Sequence, residues 1–184
     1  MTTQTQPTAV ATWTIDPAHS NAEFGVKHMM ISTVKGRFGT VSGVIQFDGQ
    51  DPTTASVEAT IDVASITTNE PQRDAHLRSP DFFAADEYPT LTFRSSGVTH
   101  AQEDEYHVAG ELTIRGTTRP VTLDVTYEGQ ITDPYGLQRA GFTAETTISR
   151  KEFGLSWNAL LETGGAVVAD KVKVTLHIEA TRNA

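Results

Sequence analysis

The chain has 184 residues, of which 20% are charged and 38% hydrophobic, and its formal net charge is −9. This length suits one domain with a sizeable core. The negative charge argues against nucleic-acid binding, which needs a basic face, and it disfavours docking on anionic membranes. The absence of cysteine excludes disulfides, thiolate metal sites and cysteine nucleophiles.

The first segment, residues 1–11, is rich in threonine and glutamine and predicts a disordered tail, which leaves one domain over residues 12–182. This segment lacks the basic and apolar regions of a secretory signal. No run of 18 apolar residues occurs in the chain, so no membrane span is expected. We therefore predict a cytoplasmic protein.

Apolar and polar residues alternate in one segment after another, which is typical of strands with one buried face. The alternation changes register between Val34 and Phe47, and this change predicts a bulge near Gly39. Later segments alternate over the ranges 106–114, 121–127, 142–148 and 172–178. The pattern predicts an all-β protein of eight or nine antiparallel strands with one short helix, arranged as an up-and-down barrel or a sandwich.

The alternation stops for long in one place, between residues 73 and 93. Here Ser79 is a good N-cap, Pro80 fits the first helical position, and Asp81 suits the positive end of a helix dipole. We predict a helix over Ser79–Ala85 that covers one end of the sheet.

Just before this predicted helix, Asp74 stands between Arg73 and Arg78. We expect the carboxylate to pair with both arginines in an exposed network at the hinge of the lid. Exposed ion pairs contribute only about 0–1 kcal/mol, so Asp74→Ala would cost little stability.

No constellation of residues predicts catalysis or metal binding strongly. Histidine occurs six times but without the short spacings of metal ligands, and Asp16, His19 and Ser20 lie too close along one turn for a catalytic triad. His76 lies among charged residues without a nucleophile nearby. We therefore expect no catalytic residue, no metal and no cofactor.

Several motifs resemble the YceI-like family in the same order along the chain. They are Trp13-x-Ile15-Asp16, Phe24-x-Val26-x-His28-Met29, Arg73-Asp74-x-His76-Leu77-Arg78-Ser79-x-Asp81-Phe82-Phe83, Tyr88-Pro89-x-x-x-Phe93 and Gly110-x-Leu112-Thr113-Ile114. The resemblance covers nearly the whole chain from Trp13 to Ala180.

The resemblance implies a single antiparallel eight-stranded, lipocalin-like β-barrel with a short capping helix. It also implies that the barrel binds a polyisoprenoid lipid, such as a polyprenyl alcohol or an isoprenoid quinone, without catalysing a reaction. The lining that we predict combines apolar strand positions, the lid and a polar contact for the head group: Phe24, Val26, His28, Met29, Phe38, Phe82, Phe93, Phe142 and Trp157. Two alternatives stay open, a lipid enzyme such as an isomerase or hydrolase, and a stress-related interaction protein whose barrel is filled by side chains. A homodimer is a further expectation.

Overall fold

Eleven β-strands and one α-helix make up the fold in the computed structural model, which describes residues 10–184. The elements are β1 (Ala11–Ile15), β2 (Asn21–His28), β3 (Ser32–Phe38), β4 (Val41–Phe47), β5 (Ser56–Asp62), β6 (Ile66–Thr67), α1 (Pro71–Arg78), β7 (Thr90–Gln102), β8 (Glu105–Ile114), β9 (Thr117–Thr132), β10 (Gln138–Ser149) and β11 (Val168–Arg182). The predicted tail lies outside the described residues except at its end, where β1 begins at Ala11.

The strands form one antiparallel sheet that closes into a barrel, which confirms the predicted fold class. The closed ring runs β1, β4, β5, β7, β8, β9, β10 and β11, and the pairing of β1 with β11 completes it. The hairpin of β2 and β3 extends the ring, because β2 pairs with the first part of β11 while β1 pairs with its last part. The barrel is therefore eight-stranded, with β1–β2, β3–β4 and β5–β6 acting as three interrupted strands.

The register change predicted near Gly39 is an interruption between two strands. β3 ends at Phe38 and β4 begins at Val41. The backbone N–H of Gly39 donates to the carbonyl of Ser65 at 3.3 Å, and that of Thr40 donates to the Ser65 hydroxyl at 3.2 Å. The chain can therefore turn from the β2–β3 hairpin into the closed ring without losing backbone hydrogen bonds.

The α-helix α1 lies earlier in the chain than the predicted helix. Glu70 caps α1 by accepting from the backbone N–H groups of Gln72 at 3.2 Å and Arg73 at 2.6 Å, and Pro71 occupies the first turn. Ser79 ends the helix instead of starting it, because a residue that precedes a proline is pushed out of helical geometry. The prediction of a helix over Ser79–Ala85 was wrong, and that segment forms consecutive turns. Within residues 10–184 no helix has the length and apolar character needed to cross a bilayer.

Candidate functional site

A cavity of about 170 Å³ occupies the middle of the barrel. Its wall comes mainly from the ring strands β4, β5 and β7–β11. The described lining residues carry apolar side chains or hydroxyl groups, and none of them is charged. They include Ile45, Val57, Ala59, Ile61, Leu91, Phe93, Val98, Tyr106, Val108, Leu112, Val121, Leu123, Val125, Tyr127, Phe142, Ala144, Thr146, Val174, Leu176 and Ile178.

Several side chains of the wall are only half-buried, although they face the inside of the barrel. Val125, Phe142 and Leu176 belong to this group. They have lost contact with neighbours on one side because they face empty space, and an apolar ligand would restore those contacts. Transfer of apolar groups from water into this cavity is therefore favourable.

The cavity extends towards the barrel end that lies away from α1. Pro52 and Ala55, from the loop between β4 and β5, belong to its lining together with Tyr106 of β8, and all three are half-buried. The side chain of Asp51 accepts from the backbone N–H of Thr53 at 2.9 Å and so fixes the short turn that holds Pro52. We call this end of the cavity its mouth, and the loop between β4 and β5 lies beside it.

An aromatic chain leads from the core to this part of the cavity. Trp13 lies 6.3 Å from Phe47, Phe47 lies 6.0 Å from Tyr127, and Tyr127 lies 5.4 Å from Phe142, measured between ring centroids. Burial raises the pKa of Tyr127, and the nearby Asp104 adds to the shift. The Tyr127 hydroxyl therefore stays neutral in apolar surroundings, where it can orient a ligand without charge.

A second aromatic group closes the barrel end nearest to α1. Phe38 lies 5.7 Å from Phe24 and 5.6 Å from Phe83. Gly36 leaves the space for this packing, because a Cβ atom at that position would overlap the Phe24 ring. We call Phe24, Phe38, Phe82, Phe83 and Trp157 the aromatic plug; within it, Phe82 lies 5.3 Å from Trp157.

The structure divides the predicted lining residues between three places. Phe93 and Phe142 line the cavity. Phe24, Phe38, Phe82 and Trp157 belong to the aromatic plug, and Val26 neighbours it on β2. His28 and Met29 lie at the turn between β2 and β3, away from the cavity wall.

The prediction favoured aromatic residues and missed most of the aliphatic wall. The alternation within β8, β9 and β11 could have identified these residues. Val108, Leu123, Val125 and Leu176 occupy the alternate positions that point into the barrel.

The expected ion pairs at Asp74 are absent among the described residues, and Asp74 is buried, with 8% of its surface exposed. Its Oδ1 accepts from the backbone N–H of Thr68 at 2.7 Å and from the Thr68 hydroxyl at 2.6 Å. Arg73 donates to the same hydroxyl at 2.8 Å, and Arg78 donates to the carbonyl of Ile66 at 3.4 Å. Asp74 thus ties α1 to the strand end before it, and the prediction of an exposed hinge network was wrong.

We expect Asp74→Ala to lower the free energy of unfolding by about 2–3 kcal/mol, because it leaves the buried Thr68 N–H without its acceptor. Burial opposes ionisation of Asp74, but the hydrogen bonds from Thr68 outweigh it and hold the pKa below 3.8. This contribution is present above that pH and is lost as the pH falls through the lowered pKa. Urea unfolding between neutral and acidic pH measures both effects, and a loss under 1 kcal/mol at neutral pH would contradict them.

Arg150 anchors the loop that carries Trp157. The side chain is 5% exposed and donates four hydrogen bonds to backbone carbonyls, with distances of 2.6–3.2 Å. The acceptors are the carbonyls of Leu155, Trp157, Val168 and Ala169. Burial lowers the pKa of Arg150, and the nearby Asp170 opposes that shift. One buried cation therefore supplies hydrogen-bond donors to backbone carbonyls at both ends of this loop.

Among residues 10–184, one group of side chains has the composition of a metal site, namely Asp16, His19 and Glu179. Arg139 already pairs with both carboxylates, at 3.0 Å from Asp16 and 2.6 Å from Glu179, and it also pairs with Asp133 at 2.7 Å. The Oδ2 atom of Asp16 accepts a hydrogen bond from Nδ1 of His19 at 2.8 Å. We interpret the group as an ion-pair network that ties the first turn to β10 and β11.

The sequence model of the YceI-like domain family matches residues 13–180, which form nearly the whole barrel. The chain belongs to the YceI-like family. A UPF0312 protein of Staphylococcus aureus is 41% identical over 162 residues, which cover 88% of this chain and 92% of that protein.

Solved structures of YceI-like and related proteins share the fold. BcnA of Burkholderia cenocepacia has a TM-score of 0.79 at 30% identity, with 91% of this chain and 99% of that chain covered. The YceI protein of Campylobacter jejuni has a TM-score of 0.74 at 29% identity, covering 86% and 90%. A polyisoprenoid-binding domain from Saccharophagus degradans has a TM-score of 0.71 at 15% identity, covering 95% and 100%, and this similarity concerns the fold alone.

Proposed function

We propose that the protein binds the tail of an isoprenoid lipid, a polyprenyl alcohol or an isoprenoid quinone, inside its barrel. The observation that carries the proposal is the cavity, whose described wall is apolar and uncharged. The related domain from Saccharophagus degradans is named for binding polyisoprenoids, and its barrel has the same fold. A hydrocarbon tail needs apolar surroundings and no charged partner, which matches this wall.

The free energy available from such a tail is large. Burial contributes roughly 0.8 kcal/mol per methylene-sized group, so each five-carbon unit offers about 3–4 kcal/mol before costs. A few units are enough for micromolar affinity after the loss of several kcal/mol to association and ordering of the chain. The hydroxyls of Tyr106 and Tyr127 stand near the mouth and would orient the ligand.

The size of the cavity sets how the tail would enter. A dry apolar cavity of about 150 Å³ is known to hold one benzene molecule, so 170 Å³ suits little more than one isoprene unit. Longer tails would have to displace the aromatic plug or extend past the loop at the mouth. We propose that Phe93 and Phe142 contact the ligand first, and that Phe24, Phe38, Phe82 and Trp157 yield as the tail lengthens.

A lipid enzyme is the weaker candidate. Isomerases and hydrolases of lipids rely on acid–base groups, most often histidine, carboxylates or lysine. The described wall offers tyrosine and threonine hydroxyls, which suit binding better than proton transfer. The filled barrel is also weaker, since the interior retains space. The cytoplasmic location and the homodimer stay predictions.

The test is a titration of delipidated protein with polyprenyl alcohols of increasing tail length, followed by tryptophan fluorescence and calorimetry. We expect affinity to rise with each unit that enters the barrel and to level off once the tail outgrows it. A Trp157→Phe variant leaves Trp13, which reports from the core beside the cavity, and so separates the two signals. Equal affinity for all tail lengths, or no binding below about 100 μM, would contradict the proposal.

A further inference from the structure

The turn between β2 and β3 exposes three consecutive apolar side chains. Met29, Met30 and Ile31 have exposed fractions of 37%, 73% and 82%. The neighbouring loop adds Leu160, which is 86% exposed, and the two segments are joined because the backbone N–H of Met29 donates to the carbonyl of Val167 at 2.8 Å. We call these four residues the apolar tip.

The backbone of this turn does not favour the residues that it holds. Met29 and Met30 have φ angles of 49° and 59°, and the N–H of Ile31 donates to the carbonyl of His28 at 3.2 Å. Two central residues with positive φ are characteristic of a type I′ turn, for which Asn-Gly is the preferred pair. Two methionines are a strained choice at these positions, and folding of the hairpin does not explain it.

Cations are concentrated on the outer sheet face beside the apolar tip. Exposed positions of β2, β3 and β11 form a basic face made of Lys27, Lys35, Arg37, Lys171 and Lys173. Four of the five lysines in the chain lie here, so the charge of the chain is unevenly distributed. The net charge of −9 by itself disfavours docking on an anionic membrane, but this face is locally positive. Two carboxylates, Glu23 and Glu145, share the face, and Glu145 lies 3.5 Å from Lys173. The other four cations have no ion-pair partner within 4 Å among residues 10–184.

The spacing brings the nearest cations within reach of whatever the tip contacts. Lys27 precedes Met29 by two residues on the strand, a distance of about 7 Å, and Lys35 follows Ile31 by four residues, about 13 Å. Attraction by an anionic surface falls off over roughly 10 Å at ordinary ionic strength. An apolar tip in the acyl region would therefore hold Lys27 among the head groups and Lys35 close to them.

We propose that the apolar tip and the basic face dock this protein on the surface of an anionic lipid bilayer. Exposed apolar side chains flanked by lysine and arginine match the two layers of such a surface, hydrocarbon beneath and negative head groups above. A protein partner fits less well. A stable protein–protein interface buries about 1,000 Å² or more, and the apolar tip, which consists of one turn and one residue of the adjacent loop, is too small for that. Glu162 on the neighbouring loop is the acidic group nearest to Leu160 along the chain and weakens the attraction only locally.

The test is sedimentation of the full chain with phosphatidylcholine vesicles, with and without phosphatidylglycerol. We expect binding to the anionic vesicles, weakened by added salt, and at least tenfold weaker binding for Met30→Ser/Ile31→Ser and for Lys27→Glu/Lys35→Glu. Tyr135→Ser is the matched control, since Tyr135 is 89% exposed in the turn between β9 and β10, outside the basic face. This variant should bind as the original protein does.

A second variant separates docking from folding. Met29→Asn/Met30→Gly installs the preferred residues of the turn, so we expect a higher Tm together with at least tenfold weaker vesicle binding. The proposal is overturned if the original protein does not sediment with anionic vesicles, if the tip variants sediment as it does, or if Tyr135→Ser loses as much binding. None of these measurements depends on a ligand in the barrel.

Discussion

Arg150→Ala is expected to lower the free energy of unfolding by about 3–5 kcal/mol, the largest effect of any single change considered. The substitution removes the side-chain donor of the Leu155, Trp157 and Ala169 carbonyls, whereas the Val168 carbonyl still accepts from Asn158 at 2.7 Å. Buried groups left unpaired cost about 1–3 kcal/mol each when water cannot reach them. Partial relaxation of the loop around Trp157 keeps the total below the simple sum. Urea unfolding, with the slope held common to both proteins, measures the difference.

Two controls show whether the hydrogen bonds or the charge cause this loss. Arg150→Lys keeps the charge but offers a single nitrogen, so its cost should lie close to that of alanine. Arg94→Ala removes an arginine that pairs with Glu58 on the surface, where the two side chains are 75% and 58% exposed, and it should cost under about 1 kcal/mol. If Arg150→Ala costs no more than Arg94→Ala, the anchoring role is wrong.

Val125→Phe is expected to weaken binding of a polyprenyl alcohol at least tenfold while leaving the fold intact. Val125 is half-buried in the cavity wall, and its partner on the neighbouring strand β10 is the small residue Ala144. The added ring therefore has space to enter the cavity. The ring would take space from roughly one five-carbon unit of the tail, which is worth about 3–4 kcal/mol before costs. Calorimetric titration of the variant with the ligand that binds the original protein best gives the change in affinity.

Thr122→Phe is the matched control for this experiment. Thr122 is exposed on the same strand, and its side chain has the outward parity. The same ring on the outer face should leave affinity unchanged. A similar loss in both variants would mean that β9 is perturbed generally, and an unchanged affinity in Val125→Phe would place the ligand elsewhere.

The sequence by itself determined the fold class. Alternation in the segments that became β8, β9, β10 and β11 defines one apolar face for each strand, and the regular turns between them leave an antiparallel barrel or sandwich as the arrangements that bury those faces. The family motifs selected the barrel. The helix was misplaced because Glu70-Pro71 and Ser79-Pro80 both contain a proline after a capping residue, and local signals do not decide which of them starts a helix.

Only the tertiary structure decided where the interior is empty. Phe38 and Phe93 are both phenylalanines at positions that face the inside of the barrel. Phe38 nevertheless packs in the aromatic plug, whereas Phe93 faces the cavity. The difference comes from the neighbours that each ring meets once the barrel has closed. Phe38 meets Phe24 and Phe83, whereas Phe93 meets the open space of the cavity. The same reason applies to Asp74, whose burial depends on Thr68 at the end of the preceding strand. Residue type and spacing fix which face a side chain occupies, whereas the neighbours that it meets across the barrel depend on strand register and closure.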